Sequence, residues 1–93
     1  MSNIEPIHPG EHLAEILEEL GISQYRLAKA IDTPPRRINE IVHGKRSITA
    51  DTALRIGKAL GTTPEYWLNL QRMYDLDVAR AATDVRAIEP LVG

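Results

Sequence analysis

The chain has 93 residues, 43% of them hydrophobic and 26% charged, which suffices for one folded domain over residues 1–93 and leaves no room for a second. It contains no cysteine, which excludes disulfides and thiolate metal sites. No apolar run approaches the ~20 residues of a membrane span, and the first residues lack a signal-peptide pattern. A cytoplasmic protein without a membrane partner is therefore expected.

Charge is divided unevenly along the chain, although the net charge is only −2. Residues 1–23 carry five acidic side chains and no Lys or Arg, residues 24–58 carry eight basic and three acidic ones, and residues 59–93 carry three basic and five acidic ones. A basic middle segment is typical of a local nucleic-acid footprint, which the overall charge conceals. Chance segregation on a solvated surface is the alternative that the charges alone leave open.

Two helices are predicted at the start of the chain. The first runs from about residue 9 or 10 to Leu20, because apolar residues recur at helical spacing and Gly21 follows. Its apolar stripe comprises Leu13, Ile16, Leu17 and Leu20. The second runs from the capping residue Ser23 to about Ile31. Its inward residues are predicted to be Leu27, Ala28 and Ile31.

The third helix is predicted to form a helix-turn-helix with the second, over residues 23–44. Thr33 is expected to cap it, with Pro34 at the first helical position, and Gly44 to end it. Its apolar stripe comprises Ile38, Ile41 and Val42. Because only Asp32 and the cap separate the two helices, they must cross steeply, which is the helix-turn-helix layout.

Two more helices and a tail complete the chain. The fourth helix is capped by Thr49 and ends before Gly61. Its apolar residues are Ala53, Leu54, Ile56 and Leu60. The fifth covers about residues 63–81 and begins either with Thr63 as cap or with a capping box from Thr62 to Glu65. Residues 82–93 have weak periodicity and are expected to form a loose tail. The elements predict an all-α, compact five-helix bundle.

The exposed side of the third helix carries side chains suited to reading base edges. Opposite the apolar stripe lie Pro35, Arg36, Asn39, Glu40 and His43. Arginine can make bidentate hydrogen bonds to guanine, asparagine can do the same to adenine, and a carboxylate can accept from the cytosine amine. The segment from residue 33 to residue 45 is therefore predicted to read the major groove of DNA.

Contacts to the DNA backbone are expected from the flanks of this segment. Gln24 lies in the first turn of the second helix, where its amide and free backbone N–H groups can hold a phosphate. Lys45 and Arg46 follow the Gly44 turn and can reach the backbone at the other edge. For Arg37, to one side of the third helix, a phosphate contact and a solvated surface position are both open.

The stretch from Ser23 to Arg46 resembles the helix-turn-helix of the phage Cro and repressor superfamily, the xenobiotic-response-element (XRE) type. Three further motifs, at residues 7–11, 44–55 and 67–76, are similar to the HigA antitoxin family, also called virulence-associated protein I. They read Ile7-His8-Pro9-Gly10-Glu11, then Gly44 to Arg55, then Trp67-Leu68-Asn69-Leu70-Gln71 with Tyr74-Asp75-Leu76. The resemblance covers roughly residues 7–80.

The resemblance implies a lambda-repressor-like bundle that acts as the antitoxin of a type II toxin–antitoxin module. Such an antitoxin forms a homodimer, binds operator DNA to repress its own operon, and neutralises a HigB-type, RelE-like toxin that cleaves mRNA. Positions where relatives contact DNA are occupied here by Gln24, Thr33, Pro35, Arg36, Glu40, Lys45 and Arg46.

Two departures from the family pattern bear on the reading helix. Pro34 and Pro35 replace polar residues near its start, and Pro35 has no N–H, so hydrogen bonding to bases should shift to Arg36, Asn39 and Glu40. Asp32 stands where glycine is usual at the turn, and aspartate tolerates the left-handed conformation better than most residues.

Trp67, Leu70 and Tyr74 form an apolar stripe on the fifth helix, at i, i+3 and i+7. Such a stripe is most simply core, and part of it can also form the dimer contact, as the fifth helix does in many relatives. Both readings remain open, because a two-fold interface must set two reading helices ~34 Å apart.

Other sites are not expected. His8 and His12 with nearby glutamates resemble a metal site only superficially, because no third strong ligand follows and the His-Glu-x-x-His pattern is absent. No catalytic constellation stands out, so no enzyme activity, cofactor or small-molecule ligand is expected. Two alternatives to the antitoxin remain: an XRE-type transcriptional regulator without a toxin partner, and a helical adaptor whose basic face meets an acidic protein.

Overall fold

The computed structural model describes residues 5–93, and this part of the chain contains five α-helices and no strand. They are α1 (Pro9–Leu20), α2 (Gln24–Ala30), α3 (Pro35–Val42), α4 (Ala50–Leu60) and α5 (Pro64–Ala82). The predicted all-α, five-helix architecture is confirmed. Residues 1–4, on which much of the signal-peptide expectation rests, lie outside the described part. None of the five helices combines the length and apolarity that a bilayer crossing needs.

Local capping chemistry sets most of the helix ends. The side-chain oxygens of Ser23, Thr49 and Thr63 each accept a hydrogen bond from the backbone N–H three residues later. The first two caps are as predicted, and of the two alternatives for α5 the structure shows the Thr63 cap. Gly21 follows α1 with a φ of 67°, the left-handed conformation that closes a helix C-terminus. Because these signals are short-range, the sequence pattern places four of the helices within about one residue.

The start of α3 is the exception. The helix begins at Pro35, with Pro34 as its N-cap, so the prediction of Thr33 as cap and Pro34 as first helical residue is wrong. A residue that precedes proline is driven out of the helical region by contact with the proline ring. Pro34 precedes Pro35 and is accordingly extended, with φ −58° and ψ 136°. Thr33 is only 6% exposed, and its hydroxyl donates to the Ile31 carbonyl at 3.4 Å.

One hydrophobic core joins the helices. Its buried residues are Leu13, Leu17, Leu27, Ala28, Ile31, Ile38, Ile41, Ile48, Ala53, Ile56 and Trp67. Leu20 and Leu54, predicted to face inward, are exposed, and Ile48, from the α3–α4 loop, is buried instead. Helical spacing identifies a stripe, but which edge of the stripe is covered depends on where the neighbouring helix lies.

Close backbone approach fixes α3 against α1. Gly10, in the first turn of α1, lies so near α3 that a Cβ atom there would fall 1.8 Å from the Ile41 carbonyl oxygen. The approach holds α3 with its buried face on the core and its opposite face outward.

Beyond α5, residues 83–93 form no helix and are exposed along their whole length.

Candidate nucleic-acid interface

A tight turn sets the angle between α2 and α3. Asp32 adopts a φ of 56°, which is the left-handed conformation. Among the described residues, it is the one non-glycine residue with a positive φ. The Thr33 N–H donates to the Ala28 carbonyl at 2.9 Å, which satisfies the end of α2 within the turn. Aspartate thus fills the position where the resemblance predicts glycine, and the turn is retained.

The outer face of α3 presents the predicted base-reading side chains, with one exception. Pro35, Arg36 and Asn39 are exposed, and Glu40 is partly exposed beside them. Arg36 extends furthest into solvent, with 88% of its side chain exposed. Thr33 is buried at the turn, so its side chain does not lie on this face.

Glu40 links two arginines on this face. Its Oε2 accepts from Arg36 Nε at 3.2 Å, one helical turn away, and its Oε1 accepts from Arg46 Nε at 2.7 Å. The hydrogen bond from Arg46, followed by the charge of Arg46 and the contact with Arg36, holds the pKa of Glu40 below its ordinary value. The carboxylate therefore stays ionised at neutral pH and ties α3 to the loop that follows it.

A second side-chain bridge joins α2 to α3. Asn39 Nδ2 donates to Gln24 Oε1 at 3.2 Å. The amide oxygen of Gln24 is thereby occupied, and its NH₂ group remains as a donor beside the first turn of α2. The predicted phosphate contact and the predicted adenine reader are therefore neighbours in space, although 15 positions separate them in the chain.

The other predicted phosphate ligands lie at the far edge of α3. Lys45 is exposed directly after Gly44, whose φ is 73°. Arg37 is half-buried on the flank of α3 and lines a hollow of about 290 Å³ together with Arg46 and the start of α4. Arg37 thus lies to one side of the face that carries Arg36, as the helical spacing predicts.

His8, which the sequence pattern gives no structural role, has one in the fold. It caps α1: its Nδ1 accepts from the Gly10 N–H at 2.9 Å. Its ring packs edge-on against Tyr74 of α5, with ring centroids 4.9 Å apart. Burial lowers the pKa of His8, although the nearby Asp75, the Arg46 backbone and Glu11 act in the opposite direction. Across residues 5–93, no three His, Cys, Asp or Glu side chains come together as a metal site.

Gln71 is a second buried polar residue that was missed as a site residue. Its Oε1 accepts from the Ile48 N–H at 2.8 Å, and its Nε2 donates to Asp75 at 3.0 Å. The bridge fastens the α3–α4 loop, which carries Arg46, to α5. Its spacing is the available signal, because Gln71 follows Trp67 by one helical turn and therefore shares the buried face.

The stripe predicted as core or dimer contact lies inward. Trp67 is fully buried, and its indole N–H donates to Thr62 Oγ1 at 2.7 Å. Leu70 packs against the core, and Tyr74 is partly buried against His8. The apolar side chains that α5 leaves exposed are different ones, Met73, Leu76 and Val78.

Two short helices crossing at a left-handed turn, with a polar outer face on the second, define a helix-turn-helix protein. The family model described as helix-turn-helix matches residues 13–67. Virulence-associated protein I of Dichelobacter nodosus is 53% identical over 74 residues, which are 78% of this chain and 68% of that protein.

Solved structures agree with the sequence relatives. An addiction module antidote protein of a HigA family from Coxiella burnetii is 48% identical with a TM-score of 0.87, covering 94% of this chain and 99% of that one. The antitoxin HigA of Pseudomonas aeruginosa, solved with the higBA promoter, is 42% identical with a TM-score of 0.88, covering 95% and 100%. The chain belongs to the HigA antitoxin family of helix-turn-helix proteins.

Proposed function

We propose that this protein is an operator-binding repressor and the antitoxin of a type II toxin–antitoxin module. It represses its own operon and neutralises a HigB-type, mRNA-cleaving toxin by binding it. The observation that carries the DNA-binding half is the exposed outer face of α3, with Arg36 and Asn39 pointing to solvent beside the loop of Lys45 and Arg46. A family member with the same fold was solved with its promoter.

In the proposed complex, α3 enters the major groove and its outer face meets the bases. Arg36 bonds Glu40 through Nε and has its terminal nitrogens available for guanine O6 and N7, and Asn39 is placed for adenine. Pro35 offers an apolar surface rather than a donor. The burial of Thr33 leaves its side chain out of this set.

The phosphates are held from both sides of the helix. The free NH₂ group of Gln24 serves one strand at the α2 edge, and Lys45 and Arg46 serve the backbone beyond the end of α3. Arg37 is a further flanking cation, beside the start of α4. These contacts position the helix and supply the salt-dependent part of the affinity, whereas the bases supply the specificity.

A homodimer is part of the proposal. Two-fold related operator half-sites one DNA turn, ~34 Å, apart require two reading helices held by one interface. Since Trp67, Leu70 and Tyr74 pack inward, we assign the interface to the apolar side chains that α5 leaves exposed, Met73, Leu76 and Val78.

Repression is tested by comparing two duplexes by fluorescence anisotropy across a salt series. One duplex is the DNA immediately upstream of the coding sequence, and the other is a scrambled version of equal composition. A dimeric repressor retains a preference for the first at physiological salt, with log K falling steeply against log salt. Equal binding of the two duplexes there would contradict sequence-specific repression.

The antitoxin half is tested separately. The product of an adjoining frame that encodes a small, basic, ribonuclease-like protein is co-expressed with this chain. The two are expected to co-purify, and the toxin's mRNA cleavage is expected to stop when the complex forms. Failure of any such product to bind would leave a repressor without a toxin partner.

A further inference from the structure

We infer that Glu40 sets the specificity of DNA binding as an internal counter-ion of Arg36 and Arg46, and does not read a base itself. The inference rests on the proposed function, because it gives a role to one residue of the proposed DNA face. Glu40 restrains two cations that would otherwise hold any phosphate, and the cognate site offers Arg36 a base contact that outweighs this restraint.

The geometry uses both oxygens of the carboxylate. Oε2 is committed to Arg36 at 3.2 Å and Oε1 to Arg46 at 2.7 Å, and only 24% of the Glu40 side chain is exposed. A carboxylate that reads cytosine must present an oxygen to the groove and accept from a neutral amine. Here each oxygen already accepts a charge-assisted hydrogen bond, which is the stronger kind. The arrangement therefore favours an internal acceptor over a base reader.

The arginines remain able to bind DNA while they are held. A guanidinium has five N–H donors in a fixed fork, and the bonds to Glu40 are made by Nε in both cases. Arg36 leaves 88% of its side chain exposed, so its terminal nitrogens are free for a guanine edge. Glu40 thus orients Arg36 without blocking it.

The charge of Glu40 affects non-specific DNA binding more than binding to the cognate site. Lysine and arginine contacts to phosphate carry no sequence information and dominate non-specific affinity. A carboxylate placed between two such arginines cancels part of their charge, so it weakens the phosphate contacts through which Arg36 and Arg46 would hold non-specific DNA. On the cognate site Arg36 bonds a base instead of a phosphate and loses less, so the ratio of specific to non-specific binding rises.

The low pKa of Glu40 is consistent with this role, because it keeps the carboxylate charged wherever DNA binding is measured near neutral pH. The two ion pairs lie at the surface, where such pairs contribute little to folding. Removing the charge is therefore expected to leave the fold intact and to change DNA binding.

The test compares Glu40→Gln with the wild type on the upstream and scrambled duplexes over a salt series. At about 0.15 M salt, each arginine that is released to a phosphate should tighten binding to the scrambled duplex about fivefold and steepen the slope of log K against log salt by about one. Binding to the upstream duplex should gain less, so its preference over the scrambled duplex falls. Glu18→Gln on the exposed side of α1 makes the same change of net charge away from this face and should alter neither duplex.

The result that overturns the inference is also specific. If Glu40→Gln leaves binding to the scrambled duplex and its salt slope unchanged, Glu40 does not restrain the arginines. If Glu40→Gln weakens binding to the upstream duplex, and the lost affinity depends on the identity of a single base pair, Glu40 is a base reader instead. If the wild type binds the upstream and scrambled duplexes equally well, the proposed repressor function is contradicted. The change in affinity for the scrambled duplex caused by Glu40→Gln would still decide the role of Glu40.

Discussion

At the scale of single residues, the exposed face of α3 and the loop after it carry different DNA contacts. Arg36→Ala removes the bidentate donor and is expected to cost about 1–3 kcal/mol on the cognate site and to relax one base position. Lys45→Ala removes a phosphate contact, so it should weaken all sequences alike and reduce the salt slope by about one. Anisotropy titrations with singly substituted duplexes measure both effects. An equal loss on specific and random DNA for Arg36→Ala would take it out of the base-reading set.

The titration of His8 is expected to make the free energy of unfolding depend on pH. Its Nδ1 must be unprotonated to accept from the Gly10 N–H, and burial lowers its pKa below the ordinary value of 6.5. Below that value the unfolded chain takes up a proton that folded His8 resists, so this contribution to stability is lost as pH falls through 6.5 toward the folded pKa. Asp75 on α5 and Glu11 on α1 raise the pKa of His8, but by less than burial lowers it.

The measurement is urea unfolding of the wild type and of His8→Asn between about pH 7 and about pH 5. Asparagine retains an N-cap acceptor but does not titrate, so the free energy of unfolding should fall less with pH in the variant. His12→Asn, on the same helix, controls for the loss of any histidine. Identical pH dependence in wild type and His8→Asn would show that the His8 cap does not titrate in this range.

At the scale of elements, α3 depends on its neighbours. It has eight residues, too few for an isolated helix to be stable in water. Its orientation comes from packing on α1 and from the left-handed turn at Asp32. The loop that carries Arg46 is held to α5 by the hydrogen bond from the Ile48 N–H to Gln71, so the proposed DNA surface is positioned by α1 and α5 as well as by the helix-turn-helix.

The contact of α1 with α3 is testable at Gly10. A Cβ atom in Gly10→Ala would meet the Ile41 backbone, which cannot rotate away, so the helices must separate at a cost of about 1–3 kcal/mol or more. Gly21→Ala is the comparison: it meets no atom within 4 Å and bears only the cost of its left-handed φ, about 1–2 kcal/mol. Chemical denaturation gives both values. A smaller loss for Gly10→Ala than for Gly21→Ala would contradict the close approach.

At the scale of the whole molecule, the proposed dimer predicts which apolar surface is covered. Leu76→Glu places a charge on the exposed apolar side of α5, where the residue is 40% exposed, and should convert the dimer to a monomer. Leu54→Glu is the matched variant on α4, where the residue is 61% exposed, and should leave the dimer unchanged. Light scattering after size exclusion measures the mass. If Leu54→Glu alone dissociates the protein, the interface lies on α4.

Much of the helical architecture was determined by the sequence alone, because capping and helical periodicity act within a few residues. Ser23, Thr49 and Thr63 each bond to the residue three positions on, and the outer face of α3 follows from its own spacing. The Arg36–Glu40 contact is also local, since residues four apart face each other on a helix. The start of α3 is equally local, but the preference of proline for the first helical position predicts Pro34 there, whereas Pro35 drives the residue before it out of the helical region.

Only the tertiary structure decided how that face is completed. The second contact of Glu40, with Arg46, crosses the Gly44 turn, and Gln24 meets Asn39 only because α2 and α3 pack together. These pairings depend on the angles between elements, which periodicity does not specify. The same holds for the burial of His8 and Gln71. The ring of Tyr74, far away in the chain, packs against His8, and the Ile48 N–H, 23 positions from Gln71, donates to its amide oxygen.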